Sequence, residues 1–449
     1  MTSLQQYIDL YQQQQPLLNK GSHPLISAHR AVALEFLEAR GLPTRKDERY
    51  KYTDVAAVLE PDFGLNLGRL PLQFDPRQMY RCRVPGLGSS VHYVVGDSVA
   101  ESNVVIDDGL LFVGPMVEFA QRYPDILRAY YNKVEGDSLA ALNTLLVQDG
   151  LVIRVAEGHK VADLLQIVNL SVGSVPMLAN RRQLIIMEQG AEASILNCNH
   201  SATRCDNLAT EVVEGVLAEG SHLQYYSVEE TTDNCNLLNT TNFVQQGNSK
   251  LDYASITLNS GVSRRTVNIA LEGSHAQTAV SGLVLANDNR HIDNNLLVVH
   301  NAPLCSSDIL YKYVLDGSST GAFAGKVLVN AQAQKTDSQE TNANLCVSPS
   351  ARMFTQPMLE IYADDVKCNH GSTVGQLDDT ALFYMAQRGI TPEEGRLLLQ
   401  QAFAWDVLQR IDLLPLRQRL MHMVEERFRR GAGACGDCMM CGGNEKENK

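Results

Sequence analysis

From about residue 151 to about residue 370 the chain reads as one strand after another with no helix between them, and this restricts its fold more than any other feature. Short runs such as QLIIM, ASILNC, EVVEGVL, HLQYYSV, LDYASITL, TVNIAL, TAVSGLVL, NLLVVH and GKVLVN follow one another, separated by turn-like pieces carrying Gly, Asn, Asp and Ser. Only Pro303 lies between Pro176 and Pro349. Proline cannot donate to a β ladder, so its scarcity fits extensively paired strands. About 200 residues of strands without crossover helices leave three options: a large sandwich, a barrel, or a solenoid that coils on itself. Gly220, Gly247 and Gly273 recur at about 26–27 residues, a hint of coils that bury their inner faces against one another. The strand lengths also suit a sandwich, and pattern alone leaves the two open.

The flanks read differently. Leu4, Tyr7, Ile8 and Tyr11 make one apolar face of a first helix, which Pro16 is expected to end. Ser27 is expected to cap a second, running through Phe36 to Arg40 and stopped by Gly41 and Pro43. Short strands (VHYVV, NVVI, LLFV) occupy residues 91–113, and helical segments follow near 115–132 and 138–148. After Gly371 the chain turns helical again. Asp378 or Asp379 caps a helix ending at Arg388-Gly389, and Thr391-Pro392-Glu393-Glu394 supplies an N-cap, a proline at the first helical position and a capping-box glutamate. A last helix runs from Pro415 to Arg430. The expected organisation is thus a helical region with short strands over 1–150, a β core over 151–375, a helical domain over 376–430 and a cysteine-bearing tail over 431–449.

A net charge of −13 argues against a dedicated nucleic-acid binder, which normally carries a basic face. The first twenty residues lack the basic start and apolar core of a signal peptide, and no run approaches the roughly 20 apolar residues that span a bilayer. A soluble, cytoplasmic protein is expected. The ten cysteines are mostly scattered singly, so free thiols or metal ligands are expected rather than disulfides.

Four motifs invite chemical readings. Cys368-Asn369-His370 puts a thiol and an imidazole at i and i+2, on one face of a strand and about 6–7 Å apart. Taken alone, the pair reads as a buried thiol and a hydrogen-bonded histidine; as ligands it is half a site, needing donors from elsewhere in the fold, from substrate or from another protein. Cys435, Cys438 and Cys441 form CGDCMMC, which has the spacing of three ligands of a ferredoxin-type run but lacks the fourth. In a Gly-rich tail these thiols either capture metal opportunistically or serve no metal, with an electron-transfer site as a further reading. GAFAGKV (Gly321 to Val327) is one residue short of a phosphate loop, with Val327 where a hydroxyl is required; a tightly packed strand is the better reading, and the chain is expected to bind no nucleotide. Asp364-Asp365 and Asp378-Asp379 offer paired carboxylates of the kind a β-helix carbohydrate-active enzyme would use, but read more simply as an exposed turn and a helix cap.

The stretch LEIYADDVKCNHGSTVGQLDDTALFYMAQRGI (Leu359 to Ile390) closely resembles the SufB/SufD family of the bacterial SUF iron–sulfur cluster assembly machinery, on its SufD branch. GLPTRKDERYKYTDV (Gly41 to Val55), SLAALNTLLVQDG (Ser138 to Gly150) and TPEEGRLLLQQAFAWDVL carry the same resemblance, which extends to about residue 430. Tyr50 stands where the family usually has Trp, and the CGDCMMC tail is not part of the family pattern. The resemblance implies a mainly β protein: a right-handed parallel β-helix core flanked by N-terminal and C-terminal α-helical regions. It also implies a non-catalytic scaffold subunit. Such a chain pairs with a SufB-like paralogue through the β-helix and binds the ATPase SufC through its C-terminal helices, here about Asp379 to Leu414; isolated, it is a possible homodimer. The family motif lands on Asp365, Val366, Lys367, Cys368, His370 and Gly371. It implies that His370, with Cys368 beside it, takes part in building a transient iron–sulfur cluster, or holding iron, at the subunit interface. The paralogous SufB-like role, in which the chain itself accepts sulfur, is the alternative within the same fold.

Overall fold

The computed structural model describes residues 3–69, 76, 84, 86–101, 103–133, 136–173, 175–201 and 205–430. From Leu151 onward the chain alternates strictly between two ten-stranded sheets. Each strand from Met177 on pairs in parallel with the strand two before it in sequence. His222 pairs with Lys250 and Lys250 with Gln277 on one sheet; Val262 pairs with His291 and His291 with Thr320 on the other. The core is therefore a parallel β-helix of about seven turns, and the sandwich alternative falls. The three turn glycines share one corner. Gly220 N–H donates to the Gly247 carbonyl at 2.9 Å, and a Cβ on Gly273 would lie 2.0 Å from the Gly247 nitrogen. At Gly273 adjacent coils approach too closely for a side chain, whereas Gly220 has open space and is instead required by its φ of +68°.

The sheets begin before residue 151. Ser89–Val95 pairs in parallel with Leu164–Ser171, and Leu111–Pro115 pairs antiparallel with Leu151–Val155. Antiparallel additions at Ser98–Val99 and Ile106–Asp107 finish the sheets at that end. At the other end the final strands, Arg352–Ile361 and Lys367–Gly375, have no further strand beside them among the described residues.

Helices clothe the outer faces. The N-terminal helices Gln5–Lys20, Arg30–Arg40 and Ser138–Leu146 bury Tyr7, Leu37, Leu142 and Leu145 against Leu178, Leu208 and Leu238 of the second sheet. Pro16 does not end the first helix, which continues to Lys20. The carbonyl that loses its N–H partner belongs to Gln12, an exposed residue, so the lost bond is not left in the core. Ser27 is not a cap either: it closes a four-residue helix, Pro24–Ser27, whose N-cap is His23, accepting from Leu25 N–H at 3.3 Å.

On the first sheet the C-terminal helices Pro392–Leu408 and Leu414–Arg430 bury Ala404, Leu408, Leu416 and Leu420 against Leu283, Leu285, Leu310 and Val314. Each fully buried leucine contributes about 1.5–3 kcal/mol. Lys312 reaches out of the sheet to pair with Asp406 at 2.5 Å and donates to the Phe403 carbonyl at 3.1 Å. No helix of the described residues is long and apolar enough to cross a membrane.

Candidate functional site at the open end of the helix

The strand Lys367–Gly375 is the last rung of the first sheet, and its register sets the site. Cys368, His370, Ser372 and Val374 lie beside Ser338, Glu340, Asn342 and Asn344 of the preceding rung, Asp337–Cys346. Those four point into the solenoid and are buried. Residues paired in parallel register face the same way, so Cys368 and His370 also face the interior. Two contacts agree: Cys368 packs against the main core, and Ser372 Oγ meets Thr355 Oγ1 of the facing terminal strand at 2.7 Å. His370 is nonetheless exposed, because no coil follows to cover it. The structure thus brings Cys368 and His370 together on one inward face of an edge strand. Burial holds the Cys368 thiol above its ordinary value, with the Asp337 carboxylate adding to the effect and a hydrogen bond from the Ser338 backbone opposing it.

The interior changes character toward this end. One inward column runs Leu165, Ile195, Tyr225, Tyr253, Val280, Ile309, Glu340, His370; the next runs Ala193, Leu223, Leu251, Thr278, Ser307, Ser338, Cys368. Both begin apolar and end in hydroxyl, carboxyl, thiol and imidazole groups. Glu340 is the residue that sequence reading missed. Its carboxyl is fully buried, neither oxygen has a hydrogen-bond partner, and desolvation alone pushes it up to about 7. Across from it stands Gly325, where a Cβ would lie within 1.7 Å of a Glu340 oxygen. GAFAGKV is therefore a strand, Thr320–Val329, whose glycine makes room for a carboxyl. The signal for Glu340 lay in the register between coils, which a single sequence does not display.

The other candidates sit apart. Asp378 caps its helix, accepting from Thr380 N–H at 2.8 Å, and Asp364 and Asp365 form an exposed turn. Cys435, Cys438 and Cys441 lie outside the described residues. Among the described residues, six cysteines are free thiols, and no group of three or more His, Cys, Asp or Glu stands ready to hold a metal ion.

Beside the open end, the helix Asp379–Gln387 buries none of its residues. Phe383 and Tyr384 are 67% and 59% exposed, and on the neighbouring helix Trp405 is 43% exposed. Three large aromatic side chains are thus exposed on neighbouring helices.

A coiled sheet open at one end, with thiol, carboxyl and imidazole groups turned inward at its rim, is the class of protein that the structure defines. Comparison with known proteins gives that class a family. Residues 170–403 match the SufBD core domain of the SUF system for FeS cluster assembly, and residues 1–167 match the SufBD protein N-terminal region. The chain belongs to the SufBD family of iron–sulfur cluster assembly proteins. It is similar to the iron–sulfur cluster assembly protein SufD of Escherichia coli, with 27% identity over 403 residues, covering 89% of this chain and 92% of that protein. An iron–sulfur cluster assembly SufBD family protein of Synechocystis is 25% identical over 92% of this chain and 94% of its own length. The chloroplastic protein ABCI7 of Arabidopsis thaliana is 24% identical over 88% of this chain.

Proposed function

We propose that this chain is a SufD-type scaffold subunit, working in the cytoplasm, that builds nascent iron–sulfur clusters at an interface with a SufB-like paralogue. The observation that carries the reading is the open end itself: an unpaired edge strand presenting Cys368 and His370 inward, with an incomplete donor set. An edge strand is a template for pairing with another sheet. Docking a second β-helix there would cover the polar end of the core and add the missing donors. The cluster is cargo, assembled and released; a neutral imidazole is a competent iron ligand. The exposed aromatics of the C-terminal helices, within about Asp379 to Leu414, are the surface for an ATPase of the SufC type, which supplies the nucleotide chemistry this chain lacks. Movement of that ATPase shifts the helical domain against the sheet and loosens the β-helix interface for iron and sulfide to enter.

The test is His370→Ala in the complex co-expressed with the paralogue and the ATPase. Both partners should co-purify as with wild type, while the cluster formed anaerobically falls about tenfold or more. Unchanged cluster yield would remove His370 from the site. Transfer of persulfide sulfur onto this chain, rather than onto its partner, would instead favour the SufB-like role.

A further inference from the structure

The interior columns hold an unexplained group. A carboxyl buried with both oxygens unpartnered is rare in proteins, because such groups are retained when a cation or donor completes them. In the Glu340 column the five rungs before it and the first of all are Leu, Ile, Tyr, Tyr, Val and Ile, so the fold has no local need of charge there. The carboxyl appears at the single rung that lies directly beside His370, on a strand about 4.8 Å away. Gly325 opposite keeps the space free, since even a methyl group there would overlap the carboxyl.

We propose that Glu340 is a carboxylate ligand which, with His370 on the next rung, gives this chain two donors for a ferrous ion at the mouth of the β-helix. The proposal rests on the assembly reading above and deepens it. Oxygen and nitrogen donors suit a divalent first-row metal, and two side chains on adjacent in-register rungs can converge on one ion. Binding exchanges a water on the ion for the carboxylate, any proton the carboxyl carries passing to solvent, and leaves the ion's oxidation state unchanged. The remaining positions are filled by water in the isolated chain and by the docked paralogue in the complex. That division agrees with the absence of a three-donor group among the described residues.

The experiment uses the full chain with Cys435, Cys438 and Cys441 replaced by serine, so that the tail thiols do not compete. Co²⁺ is titrated anaerobically as the probe, with affinity and stoichiometry read from its ligand-field absorbance. One equivalent should bind. Glu340→Gln should weaken that binding about tenfold or more, with Glu340→Asp intermediate and the thermal midpoint of Glu340→Gln no lower than that of the parent. If His370→Ala abolishes the binding and Glu340→Gln leaves it unchanged, Glu340 is not a ligand and the assembly reading stands. If the parent binds no Co²⁺, or neither variant alters its affinity, the two-donor site falls, whereas the assembly reading is decided separately by the cluster yield of the co-expressed His370→Ala complex.

Discussion

Glu340 is held between Ile309 on the rung before it and His370 on the rung after it, with Gly325 and Phe323 across the interior. His370 is the one ionisable side chain on the paired rungs facing it, and it is exposed. The carboxyl, raised from an ordinary 4.5 to about 7 by desolvation, makes the folded chain bind more protons than the unfolded chain between those values. Stability therefore declines as pH rises through that window and stays lower above it. Glu340→Gln should remove this decline and raise stability at pH 8 by about 1–3 kcal/mol. Denaturant midpoints measured from pH 4.5 to 8 decide it: parallel curves for the two proteins would show that Glu340 is not the source. A residue placed for folding alone would not be improved by its own amide.

Two kinds of element anchor the molecule's flanks, and they differ in how far the sequence disclosed them. Thr391 with Pro392 at a helix start, and Gly389 at positive φ past a helix end, are local chemistry and were readable from neighbouring residues. The Gly41–Val55 stretch was recognisable, but its attachment was not, because its partners lie over two hundred residues away. Tyr50 lies under the Arg264 guanidinium, 4.6 Å from its centre; Arg264 pairs with buried Asp293 at 2.6 Å, and Thr53 donates to the same carboxylate. Arg264→Ala strands a buried carboxylate and should cost about 3–5 kcal/mol in a denaturant titration. Pro16 and Ser27 misled because each is a strong local signal overruled by its surroundings: the carbonyl that Pro16 leaves unpaired belongs to an exposed residue, and Ser27 is taken up as the end of the short Pro24–Ser27 helix. At the other flank, Phe383→Asp should lower recovery of an ATPase partner in pull-downs about tenfold while leaving the thermal midpoint of the free chain within a degree or two. That helix buries nothing of its own, so loss of the fold rather than of binding would contradict the assignment.

For the whole molecule, the run of strands narrowed the choice to sheet on sheet or sheet coiled on itself, and no strand decided between them. Alternating burial within a strand is the same in both; what differs is whether a strand pairs with its successor or with the strand after that. Only the stacked corner at Gly220, Gly247 and Gly273 carried that information, as a spacing. The positions of Cys368 and His370 were readable as a pair, whereas their exposure depended on the coil being the last. Ser372→Lys with Val374→Lys puts two charges on the inward face of the terminal rung. The double variant should remain folded and lose co-purification with its paralogue, or its homodimer peak on gel filtration, because an inward charge on an edge strand opposes pairing. In such a stack each coil is supported from both sides except at the ends. The terminal rung hangs from one neighbour, so its amides should exchange with deuterium faster than those two coils inward and slow sharply when a second subunit seats. On the proposed function, the part of the chain that meets the cargo is then also the part most easily frayed, and shielding it from solvent would fall to the docked partner.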